Sequence, residues 1–124
     1  MRAAAAAALA GALLLPSAAA LPSQVHTAFA TESSFRAAWK TAGAEDSSCV
    51  FGASPTAMTS SATGSAVSYL PGHGYHHAVL MSAPAGSTEV YWSCGSAAGG
   101  MTNATRFAFP APAATFSTMI FADW

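Results

Sequence analysis

Beyond its first twenty residues, the chain alternates hydrophobic and polar positions with a period of two over most of its length. From Gln24 to Ala30, Val25, Thr27 and Phe29 alternate with His26, Ala28 and Ala30, which predicts a strand with one apolar face. Thr31-Glu32-Ser33 is a turn. Ser34 to Lys40 alternates more cleanly, with Phe35, Ala37 and Trp39 on one side and Ser34, Arg36, Ala38 and Lys40 on the other. Trp39 is expected in the core, its indole N–H needing a partner. Thr41–Ser47 is a polar loop containing Gly43. Cys49-Val50-Phe51 is a short strand closed by Gly52, and Pro55 sits in a turn over Ala53–Thr56. Ser60–Tyr69, rich in Ser, Thr and Ala and interrupted by Gly64, reads as one edge strand. Pro71–Gly74 is a loop.

The most strongly patterned stretch is Gly74–Gly95, which predicts strands Tyr75–Ser82 and Glu89–Cys94 around a turn at Pro84, Gly86 and Ser87. Tyr75, His77, Val79 and Met81 share one face; His76, Ala78 and Leu80 share the other. Val90, Trp92 and Cys94 oppose Glu89, Tyr91 and Ser93. A Gly-rich loop, Ser96–Asn103, leads to a strand over Ala104–Phe109, and Pro110-Ala111-Pro112 is a stiff spacer. Six or seven short strands with regular turns predict an all-β antiparallel sandwich. There is no helical period and no internal repeat.

The two ends differ from this pattern. Met1-Arg2, the apolar run Ala3–Leu15, Pro16-Ser17 and Ala18-Ala19-Ala20 have the layout of a secretory signal cleaved after Ala20. The run falls short of the ~20 residues that span a bilayer. The expected location is therefore extracellular, with no membrane span. At the other end, Thr115–Phe121 holds Phe116, Met119, Ile120 and Phe121 without alternation, as in a strand buried on both faces of a parallel sheet. It follows a Pro-rich spacer of the kind found at domain boundaries. The expectation is a link at Pro110–Pro112 to a second domain, of which residues 113–124 are only the start.

Charge narrows the partners. After Ala20, Arg36, Lys40 and Arg106 stand against Glu32, Glu45, Asp46, Glu89 and Asp123, with no basic cluster, which argues against nucleic acid. A surface with so few charges is poorly soluble by itself. Glycans or further protein, a second copy of the chain among the options, are expected to cover it.

Several residue groups suggest chemistry. Two cysteines in a secreted chain suggest one disulfide, Cys49–Cys94, the alternative being two unpaired buried thiols. His73-x-x-His76-His77 suggests a metal site, but His76 and His77 point to opposite faces of a strand, and no tetrahedral set completes around His73 and His77. A Ser/His/Asp triad has no support, since no Gly-x-Ser-x-Gly elbow occurs. Asn103-Ala104-Thr105 is an N-glycosylation sequon in a predicted loop. Asp123 ends an apolar strand, where open α/β sheets place ligand-binding groups.

Seven short segments, in order, resemble the N-terminal part of plant and fungal purple acid phosphatases. They are Pro22-Ser23-Gln24-Val25-His26, Ser34–Thr41 with Trp39 before Lys40-Thr41, Val50-Phe51-Gly52-Ala53-Ser54-Pro55, Ser61-Ala62-Thr63-Gly64 with Tyr69, Tyr75–Leu80, Tyr91-Trp92-Ser93-Cys94-Gly95-Ser96, and Arg106–Pro112. The resemblance implies a fibronectin type III-like sandwich over residues 21–112, followed by a catalytic metallophosphatase domain. That domain would carry a dinuclear centre of Fe(III) with Zn, Mn or Fe(II) and hydrolyse phosphate monoesters at acidic pH. Ala122-Asp123-Trp124 is similar to the family's first metal-ligand motif, Gly-Asp-x-Gly, with Ala in place of the first Gly. By that resemblance Asp123 matches the first ligand. The family's later Gly-Asp-x-x-Tyr, Gly-Asn-His and His ligand motifs do not occur in the chain, and one carboxylate does not hold two ions.

The sequence thus points to the non-catalytic N-terminal domain of a secreted purple acid phosphatase-like protein, binding no metal by itself. The alternative is a stand-alone secreted binding or adhesion module.

Overall fold

In a computed structural model, residues 21–111 and the isolated positions 115, 117 and 120 are described. The alternation becomes nine strands among them: β1 (Ser23–Thr31), β2 (Ser34–Thr41), β3 (Ser48–Gly52), β4 (Ser60–Thr63), β5 (Ser65–Val67), β6 (Tyr75–Ser82), β7 (Glu89–Ser96), β8 (Gly100–Met101) and β9 (Thr105–Ala108). A four-stranded sheet has the order β1-β2-β6-β5. A second runs β4-β3-β7-β8, with β9 also paired to β7. Every pairing is antiparallel. β8 pairs with β7 at Gly95 and Ser96, and β9 pairs with it from Glu89 to Trp92.

The inward faces meet as the alternation requires. Phe35, Ala37 and Trp39 of β2 and Val79 and Met81 of β6 pack against Cys49 and Phe51 of β3 and Val90, Trp92 and Cys94 of β7; Phe109 closes one end. Phe35 stacks on Phe107 at 4.2 Å between ring centroids and meets Trp92 edge-on at 6.1 Å. Two antiparallel sheets around one such core make a sandwich of the fibronectin type III/immunoglobulin-like kind.

Three local expectations change. β1 has no buried face: all nine of its residues are exposed, because it is an edge strand and only Phe29 reaches across to the rings of Phe107 and Phe109. The stretch read as one strand over Ser60–Tyr69 divides at Gly64. β4 pairs with β3 in one sheet, whereas β5 pairs with β6 in the other, so the chain crosses between sheets at that glycine. The Gly64 N–H donates to the Ser47 carbonyl at 2.9 Å, and a Cβ on Gly64 would overlap the Ala78 backbone carbonyl. Finally, the Gly-rich loop Ser96–Asn103 contains the two-residue strand β8. Among the described residues, no helix is long and apolar enough to cross a membrane.

Candidate functional site

β2 and β6 pair without interruption from Ser34↔Ser82 to Thr41↔Tyr75. Alternation puts His76 and His77 on opposite faces, and the sandwich places His77 in the core and His76 outward. His77 is 1% exposed and lies face to face with Trp39. Both of its ring nitrogens are engaged. Thr41 donates its hydroxyl to the Gly43 carbonyl at 2.8 Å, so its oxygen accepts from His77 Nε2–H at 2.7 Å. Nδ1 then accepts from the Ser47 hydroxyl, also at 2.7 Å. The ring is a neutral imidazole joining the end of β2 to the loop before β3. Burial lowers its pKa from the ordinary histidine value; the charge of Glu45 opposes that shift and His76 adds to it.

A metal site at His73 and His77 does not form. His77 has no free nitrogen, and His73 lies exposed in the Pro71–Gly74 loop. Among the described residues no three His, Cys, Asp or Glu side chains come together to hold a metal ion. These residues do not fit a dinuclear centre. Asp123 lies outside the described residues.

Cys49 and Cys94 are joined in a disulfide. They are directly opposite in the β3–β7 pairing, with Cα atoms 4.1 Å apart, and both are fully buried. The link lies within one sheet and closes a 45-residue separation. Asn103 is exposed between β8 and β9. The indole nitrogens of Trp39 and Trp92 are buried without a hydrogen-bond partner among the described residues. The partner expected for Trp39 is therefore not found among the described residues.

The outward face of the four-stranded sheet carries a second constellation. Lys40 and His76 are cross-strand partners, and His26 sits on β1 opposite Ala38. Ala38 and Ala78, also paired, form a low floor beneath them. The result is an open cleft of about 320 Å³. The Tyr69 ring tilts against His76 at 4.9 Å. Sequence reading missed this grouping, since His26, Lys40 and His76 become neighbours only once β2 lies between β1 and β6. It missed the Thr41–His77–Ser47 bridge for a related reason: nothing local marks Ser47 in its loop as the partner of a strand histidine thirty residues on.

The family model described as "Purple acid Phosphatase, N-terminal domain" matches residues 22–109. The chain belongs to the purple acid phosphatase N-terminal domain family. Neither the curated proteins nor the solved structures give a match. The purple acid phosphatase N-terminal match begins just before β1 and ends just after β9, so it covers the whole sandwich. In this member of the family, the Trp39–His77 stack and the Cys49–Cys94 bond are framework, and the outward cleft is the grouping of polar side chains left without such a role.

Proposed function

We propose that this chain is the non-catalytic N-terminal domain of a secreted purple acid phosphatase-like protein. In this reading residues 1–20 direct export and are removed after Ala20. The sandwich packs against a metallophosphatase domain and supports its assembly, and Asp123 is the first ligand of that domain's dinuclear centre. The observation that carries the reading is the family match across residues 22–109, spanning every strand of the sandwich.

The test is direct. The purified chain, given iron and zinc at acidic pH, should leave p-nitrophenyl phosphate unhydrolysed; turnover by this chain with bound iron would overturn the proposal. Its converse uses the coding sequence downstream of Trp124. An in-frame glycine followed by the missing ligand motifs supports the domain reading, whereas a stop codon there supports a stand-alone extracellular module.

A further inference from the structure

We propose that the outward cleft of the four-stranded sheet binds a phosphoryl-type oxyanion, through Lys40, His76 and His26. Three adjacent strands supply the three nitrogen-bearing side chains. Lys40 stands directly across from His76, and His26 lies diagonally from Lys40, on the row of Ala38. The row His26–Ala38–Ala78–Ser65 is low in the middle, because its two central side chains are methyl groups. The neighbouring row, Lys40–His76–Val67, forms a wall beside it. A compact anion fits that depression, with the ammonium and imidazoles around it.

Charge favours the same occupant. No Asp or Glu lines the cleft, and the ion pair found among the described residues, Arg106–Glu89, belongs to the other sheet. Lys40 thus has no carboxylate partner among the described residues. Lys40 and His76 stand directly opposite each other across strands, and an oxyanion between them accepts a charge-assisted hydrogen bond from the ammonium. The cleft is already partly organised. Tyr69 braces His76, and the His26 Nδ1–H donates to the Gln24 carbonyl at 2.9 Å, leaving Nε2 for a ligand. The titratable and charged groups on this face are His26 of β1, Arg36 and Lys40 of β2, His76 of β6 and Tyr69; β5 contributes none.

The site also stays clear of the chain's exit. The Phe109 N–H donates to the Thr88 carbonyl, so the chain leaves the sandwich near the Ser34↔Ser82 end of β2 and β6. The Lys40↔His76 row is six residues away along β2, or roughly 20 Å at strand rise. A domain following Pro110 therefore starts at the far end from the cleft.

The experiment titrates the chain with inorganic phosphate and, separately, with glucose 6-phosphate, followed by calorimetry and amide chemical shifts. Saturable binding with Kd of about 1–10 mM is expected, with shifts centred on His26, Lys40 and His76. Equal affinity for the two ligands assigns the site to the phosphoryl group alone. Tighter binding of the ester assigns it to a phosphorylated sugar. Lys40→Gln and His76→Gln should each weaken binding by at least about tenfold while keeping the thermal midpoint, and Arg36→Gln, on the same face outside the cleft, should change nothing. Absence of saturable binding, or binding untouched by both glutamine variants, overturns the proposal.

Discussion

Trp39 and His77 lie face to face in the core, their ring centroids 5.1 Å apart and their planes within 2° of parallel. The pair sits directly across β2 and β6, and the imidazole is pinned at both nitrogens by Thr41 and Ser47. The stack fixes the plane of the histidine and the two hydroxyls fix its rotation. Together they tie the β2–β3 loop to the four-stranded sheet.

A pH dependence follows from that burial. The pKa of His77 is lowered in the folded protein, mainly by desolvation, so the unfolded chain binds this proton more readily. The stabilisation is complete above the unfolded value of about 6.5 and is lost as pH falls through it toward the folded value. Urea unfolding at about pH 8 and about pH 5 should show the wild type losing more stability in acid than His77→Phe does. That variant should itself cost about 1–3 kcal/mol at the higher pH, since Ser47 loses its acceptor. Identical pH profiles for the two proteins would exclude His77 as the source.

The Cys49–Cys94 link closes a 45-residue separation inside the five-stranded sheet. Loop-closure entropy alone is worth about 4 kcal/mol, a large share of what a domain of this size has. The double variant Cys49→Ala/Cys94→Ala should lose stability of that order, and reductant should lower the wild-type midpoint while leaving the variant's unchanged. Equal midpoints with and without reductant would show that the bond contributes nothing.

Gly64 is the crossing point between the sheets, and its Cα hydrogens face the Ala78 carbonyl. Gly64→Ala forces a methyl group into backbone that β5 and β6 hold in place, at a cost of about 1–3 kcal/mol. Gly43→Ala is the control, because a Cβ there meets nothing within 4 Å. Denaturant midpoints should fall for the first and stay within error for the second; a matched response would mean that the crossing tolerates a side chain.

Phe35 and Phe29 are cross-strand partners with opposite fates. Phe35 is fully buried between Phe107 and Trp92, while Phe29 is 60% exposed at the sheet edge. Phe35→Ala should cost about 3–5 kcal/mol, which is close to unfolding the domain. Phe29→Ala removes edge contacts with Phe107 and Phe109 and should cost well under half of that. Thermal midpoints measured side by side decide it, and comparable losses would place Phe29 in the core despite its exposure.

The alternation of residues was enough, by itself, to determine that the described residues form an all-β sandwich, to locate Tyr75–Ser82 to the residue, to put Trp39 in the core, and to sort His77 with Val79 and Met81 onto the face opposite His76. Period two is a local property of the backbone, so it survives whatever the strand packs against. It does not say which strand lies alongside. That is why the exposure of β1, the division at Gly64, the hydroxyls that hold His77 and the meeting of His26, Lys40 and His76 were decided only by tertiary structure. Each depends on strand order and on which sheet covers which face, and those are set by pairings between residues far apart in the chain. The cysteines show both sides at once. Their presence suggested a bond, and the register of β3 against β7 placed them opposite each other.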